Sequence, residues 1–154
     1  MTTGTLDKAA FGDDFTWGVA SAAFQVEGAP DADGKAPSIW DDLARRGKIP
    51  GVGADQGIRY YDRYKEDHEL IASLGFGANR ISLSWPRLMG NGRGPWNPKG
   101  AAFYDRVIDN MLEVGLEPWV TVYHWDMPLE LWKRGGWCRR DIISEFADLA
   151  ERCA

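Results

Sequence analysis

The chain has 154 residues, 44% hydrophobic and 27% charged, with a formal net charge of −5. That composition is globular and excludes a disordered or fibrous chain. With no basic patch in view, the acidic balance argues against nucleic acid or an anionic membrane as a partner.

In chain order, "FTWGVASAAFQVEG" (15–28) is small and apolar and reads as a first strand ending on Gln25 and Glu27. Residues 29–57 follow as a long connection rich in Gly, Pro and Asp, a length that inside a domain marks a functional or disordered loop. Tyr61, Tyr64, His68, Ile71 and Leu74 recur at helical spacing, and Gly75 suits the left-handed residue that closes such a helix. "FGANRISLS" then reads as a second strand running to Trp85 and Arg87. Asn97-Pro98 supplies an N-cap and first-turn proline for a second helix, whose apolar face holds Phe103, Val107, Ile108, Met111 and Leu112. Gly115 closes it, and "LEPWVTVYH" leads as a third strand to His124, Trp125 and Asp126, with Pro128 beyond. Asp141 stands near the start of a third helix marked by Ile142, Ile143, Phe146, Leu149, Ala150 and Cys153.

Gly75 and Gly115 lie 40 residues apart, as do Trp85 and Trp125. The repeating unit is helix, turn, buried strand, and the near-continuous apolar strands are those of a parallel sheet buried on both faces. The order β-α-β-α-β-α implies an α/β fold with a parallel sheet. The last helical pattern runs to Ala154 without a cap, so the chain is expected to continue past it. Cys138 and Cys153 lack metal-type spacing, no signal peptide stands at the N-terminus, and no apolar run is long enough to span a bilayer. The expectation is a soluble cytoplasmic protein, with leaderless secretion left open.

Polar residues gather at the same end of all three strands: Gln25 and Glu27, then Trp85 and Arg87, then His124, Trp125 and Asp126. In parallel α/β sheets ligands meet the carboxyl ends of strands, in barrels and open sheets alike. Eight tryptophans reinforce this, because tryptophan at a cleft stacks on flat apolar faces such as those of sugars. The structural alternative stays beside it: His124 as a hydrogen-bonded structural histidine, Trp85 and Trp125 as a roof over the core. Arg80, inside an apolar strand, requires a carboxylate or ligand partner if buried. No phosphate loop, nucleophile elbow or metal-ligand cluster is visible, and no cofactor is expected. Glu27, Glu117 and Asp126 are candidate carboxylates by type only. Glu117 belongs at the opposite end of the sheet, and Glu27 and Asp126 each have an ordinary role in holding loop backbone.

"FTWGVASAAFQVEGA", "SIWD", "RYKED", "NRISLSWPRL", "NPKGAAFYDRVID" and "PWVTVYHWDMPLEL…GGW" come in an order that closely resembles the N-terminal part of glycoside hydrolase family 1, the β-glucosidase family. The resemblance runs from about Phe15 to the last residue. It implies the first third of a (β/α)8 TIM barrel, about three βα units, with residues 1–154 as a partial catalytic domain ending before strand four. It also implies retaining hydrolysis of β-linked glucosides or galactosides. Gln25 and His124 then resemble the residues that bond hydroxyls of the non-reducing sugar, with Trp125 alongside, and Arg80 resembles the arginine that holds the nucleophile's carboxylate. The family's acid/base and nucleophile motifs, Asn-Glu-Pro and Thr/Ile-Glu-Asn-Gly, do not occur in this sequence. Smaller departures are Phe24 for the usual tyrosine, Arg59 and Asp62 where Asp and His are usual, and Arg139 where Asn is common. The chain alone is therefore expected to be inactive and not stably monomeric. The alternatives are a non-catalytic sugar-binding module, or a half-barrel completed by self-association or a complementing chain.

Overall fold

The computed structural model describes residues 8–49 and 57–154. Three parallel strands form one sheet in the order of the chain: β1 (Gly18–Ala20), β2 (Ala78–Ser82) and β3 (Glu117–Thr121). Ala20, Arg80 and Trp119 are register partners across all three, as Ser82 and Thr121 are across the last two.

Between β1 and β2 lie α1 (Ala23–Val26), α2 (Ile39–Arg45) and α3 (Tyr60–Ser73). Between β2 and β3 lie α4 (Trp85–Met89) and α5 (Pro98–Glu113), and α6 (Leu129–Lys133) and α7 (Ile142–Cys153) follow.

Both long helices before a strand close alike. Gly75 and Gly115 take φ of +80° and +78°, which costs a glycine little. The next amide then reaches back to the last turn, Phe76 N–H to the Ile71 carbonyl and Leu116 N–H to the Met111 carbonyl. Asn97 caps α5 by accepting from the Lys99 amide at 3.2 Å. Its own amide donates to the Asp33 and Arg87 carbonyls at 2.7 Å each, which ties α5 to the first long loop and to α4.

One face of the sheet packs on the helices. Ile81, Leu83, Trp85, Phe103, Val107, Met111, Leu116 and Leu149 form the centre of the core. Within it His68 is held between α3 and α5: the Tyr60 hydroxyl donates to Nε2 at 2.7 Å, and Nδ1–H donates to the Asn110 side-chain oxygen Oδ1 at 2.8 Å. Both ring nitrogens are thereby used by a neutral imidazole, and burial lowers its pKa. The other sheet face is open, with Gly18, Ala20, Glu117 and Trp119 exposed. Burial on both faces, expected for the strands after Gly75 and Gly115, therefore holds for β2 alone. β3 is an edge strand, and its outer neighbour position is unfilled among the described residues.

Three other expectations change. The strand expected over 15–28 is three residues long, because the Ala23 amide donates to Ser82 Oγ at 2.8 Å and the chain turns into α1 there. The second strand ends at Ser82, and Trp85 and Arg87 lie on α4, where both are fully buried. The connection over 29–57 contains α2, started by a reciprocal cap between Ser38 and Asp41. It is fastened to the segment after β3 by Ile39 N–H to the Met127 carbonyl and Leu129 N–H to the Pro37 carbonyl, both 2.9 Å. Residues 50–56 of that connection lie outside the described residues. The departures at 59, 62 and 139 are locally satisfied, since Arg59 pairs with Asp62 at 2.9 Å and Arg139 pairs with Asp141. Cys138 and Cys153 are free thiols, and among the described residues no helix is long and apolar enough to cross a membrane.

Candidate functional site

Gln25 and His124 line one cleft of about 250 Å³ together with Ala22, Phe24, Trp40, Ile49 and Trp125. Three separate segments build it. The turn after β1 brings Gln25 and Phe24, α2 and its exit bring Trp40 and Ile49, and the tip beyond β3 brings His124 and Trp125. The rings of Phe24 and Trp40 lie 6.0 Å apart, and those of His124 and Trp125 5.7 Å apart. Trp125 takes φ of +71°, a left-handed conformation rare for a bulky side chain, and is 66% exposed. Such backbone strain, about 1–3 kcal/mol, persists where surrounding structure over-determines it. The result is an aromatic-walled cleft with one amide and one imidazole at its rim.

Arg80 is not in this cleft. It lies half-buried on the open sheet face, beside Glu117, Trp119 and Thr121 in a groove of about 410 Å³. Its guanidinium donates to the Ser21 carbonyl at 3.3 Å, and it forms no ion pair among the described residues. The buried arginine that does hold a carboxylate is Arg87. Its Nε and Nη2 donate to Glu27 Oε2 at 3.1 and 3.0 Å, and its guanidinium also lies over the Tyr61 and Phe103 rings. Burial alone would lower the Arg87 pKa, but Glu27 together with the Tyr104 and Tyr61 hydroxyls outweighs it and the net shift is upward. The Tyr104 hydroxyl donates to the other Glu27 oxygen at 2.5 Å, and burial with that carboxylate lifts its pKa well above the ordinary value.

The three candidate carboxylates thus separate. Glu27 is buried and fully engaged by Arg87 and Tyr104. Glu117 starts β3, at the opposite end of the sheet from His124. Asp126 is 2% exposed and does not line the cleft. Burial pushes its carboxyl up to about 7; the Ser84 hydroxyl nearby draws it back and the Glu27 charge lifts it further. No donor among the described residues reaches either Asp126 oxygen in hydrogen-bond geometry. Among the described residues no group of three or more His, Cys, Asp or Glu is placed to hold a metal ion.

The match to the family described as glycosyl hydrolase family 1 spans residues 7–154. The chain belongs to that family. β-Glucosidase A of Thermotoga maritima is 46% identical over 140 residues, covering 90% of this chain and 31% of the relative. β-Glucosidase 34 of Oryza sativa subsp. japonica is 44% identical over 155 residues, covering 99% and 30%. Solved structures agree: a rice Os3BGlu6 β-glucosidase superposes with TM-score 0.88 at 42% identity over 92% of this chain and 30% of that one. A Thermotoga maritima family 1 β-glucosidase superposes with TM-score 0.83 at 45% identity over 89% and 31%. The chain spans about a third of the length of the relatives it matches. Its three parallel strands and their helices are accordingly part of a glycosyl hydrolase family 1 TIM barrel, and the open sheet face is the face such a barrel turns inward.

Among the cleft residues, sequence reading singled out Gln25, His124 and Trp125. It did not single out Ala22, Phe24, Trp40 or Ile49 as cleft residues. A signal for Trp40 was present, since "SIWD" has the Ser-x-x-Asp spacing of a capping box and so announces a helix that fixes the tryptophan. No local signal pointed to Ile49.

Proposed function

We propose that residues 1–154 are the N-terminal part of the catalytic domain of a retaining β-glycosidase acting on β-linked glucosides or galactosides. In this reading Gln25 and His124 bond hydroxyls of the terminal sugar and Trp125 stacks beside it. Arg80 waits on the inward face for the carboxylate of the nucleophile. The observation that carries the reading is the meeting of Gln25, His124 and Trp125 in one cleft. Aromatic walls and a few convergent polar groups suit a sugar, which offers apolar ring faces and a girdle of hydroxyls.

Retaining hydrolysis needs two carboxyl groups about 5–5.5 Å apart across the scissile bond. Glu27 is engaged elsewhere, Glu117 is at the wrong end, and Asp126 is buried and does not line the cleft. The acid/base and the nucleophile then belong to polypeptide outside these residues, and the chain alone binds without cleaving. A second reading, assembly with a second copy or a complementing chain, is favoured by Trp119 and Val120, 54% and 42% exposed on an edge strand. Purified chain tests both readings. It is expected to release no p-nitrophenol from the β-glucoside above a matched blank and to sediment faster than a monomer. Release well above the blank overturns the first reading, and sedimentation only as a well-folded monomer overturns the second.

A further inference from the structure

Beside the cleft, and sharing Phe24 with it, lies a small space of about 10 Å³ lined by Glu27, Lys35, Ser38, Asp41 and Asp126 among others. That is room for about one water molecule. The helices that carry Gln25 and Trp40, α1 and α2, meet the segment after β3 there through Phe24, Asp41 and Asp126. Its charges do not balance. Three buried carboxyl groups, on Glu27, Asp41 and Asp126, face two cations. Arg87 is held by Glu27 at 3.0 Å and Lys35 by Asp41 at 3.1 Å. Asp41 also accepts from the Ser38 amide and hydroxyl at 2.7 Å. Among the described residues Asp126 forms no ion pair and neither of its oxygens is in hydrogen-bond geometry with a donor, although the Ser84 hydroxyl and the Lys35 charge lie close enough to act on it. A buried carboxylate so placed is costly, and one proton on it makes the group neutral.

We propose that Asp126 is a positioning residue that carries this proton and, through the water-sized space it shares with Glu27, Lys35 and Asp41, seats the His124–Trp125 tip against α1, which bears Gln25. Loss of the proton leaves an unpaired negative charge under Trp125 and lifts the strained tip away from Gln25. The midpoint of about 7 for this group puts the change within the neutral range. The groups that face Asp126 from the packed elements are Glu27, Lys35, Asp41 and Ser84, with Arg87 and Tyr104 behind Glu27.

The inference rests on the sugar-cleft reading for its binding arm only. Infrared spectra of the chain without sugar are expected to show a protonated carboxyl C=O band at pH 6 that fades by pH 8 and is absent from Asp126→Asn. Binding of methyl β-D-glucoside, followed by tryptophan emission, is expected to weaken about tenfold from pH 6 to pH 8 as the seated fraction falls. Asp126→Asn, which keeps the shape and the neutral state, is expected to bind with no such pH dependence. Absence of the band in the unsubstituted chain, or its persistence in Asp126→Asn, overturns the proton assignment whether or not any sugar binds. A band that behaves as expected with pH-independent binding overturns the positioning role. No binding at any pH, with the band present and the Trp125 emission unchanged by pH in sugar-free chain, overturns that role together with the cleft reading.

Discussion

Arg87→Met is expected to lower folding stability by about 3–5 kcal/mol, the range for breaking one side of a buried ion pair. The guanidinium is fully buried, bonds Glu27 with two nitrogens, reaches the Ala29 and Ala32 carbonyls at 3.4 and 3.3 Å, and stacks on Tyr61 and Phe103. Methionine restores much of the volume and none of the charge, so the dominant loss is the buried Glu27 carboxylate left without its cation, with Tyr104 as its remaining side-chain donor among the described residues. Arg87→Met combined with Glu27→Gln removes that orphaned charge and is expected to recover part of the loss. Urea unfolding followed by circular dichroism checks both. A loss below about 1 kcal/mol for the single change, the level of an exposed pair, contradicts the account.

The second large effect concerns two tryptophans that occupy the same place in the 40-residue repeat. Trp85→Ala is expected to cost about 3–5 kcal/mol, the range for deleting a buried aromatic. Trp85 is 0% exposed, its Nε1–H donates to the Gly92 carbonyl at 3.1 Å, and its ring meets Tyr123, Trp137 and Phe146. Trp125→Ala, at a side chain 66% exposed, is expected to leave stability within about 0.5 kcal/mol, because the Cβ that disfavours its left-handed backbone is kept. The same unfolding measurement compares the two, and equal losses contradict the division of roles.

These residues also show what the sequence makes legible. The helices, the glycine closures and the parallel order are local properties, written in apolar spacing and in a left-handed requirement met within one turn. Gly75 and Gly115 therefore behave identically. Trp85 and Trp125, ten residues beyond them, do not, because their fates depend on what the chain does after the strand. After β2 it turns into α4 and enters the core; after β3 it lines the cleft. The two arginines teach the same lesson. Arg80 attracted notice by its apolar neighbours, yet it lies on the open face and bonds a backbone carbonyl. Arg87 found its carboxylate in Glu27, 60 residues away in sequence. No periodicity reports a partner at that distance. The early end of β1 has the same origin, since Ser82 Oγ captures an amide that a longer strand would have paired.

The cleft itself was half legible. Gln25, His124 and Trp125 stood out as polar or aromatic residues at strand ends, and the family resemblance gave them roles. Trp40 and Ile49 came from a connection that looked structureless until the bridge between Ser38 and Pro128 fixed it beside the β3 tip.

The account depends most on the three strand-end segments forming one sugar-binding rim. Titration of the purified chain with methyl β-D-glucoside, monitored by tryptophan emission, tests this directly. The prediction is a saturable change at millimolar concentration that Trp125→Phe removes and that Gln25→Ala and His124→Ala each weaken. A response that survives all three substitutions, or no response up to high millimolar sugar, would contradict it.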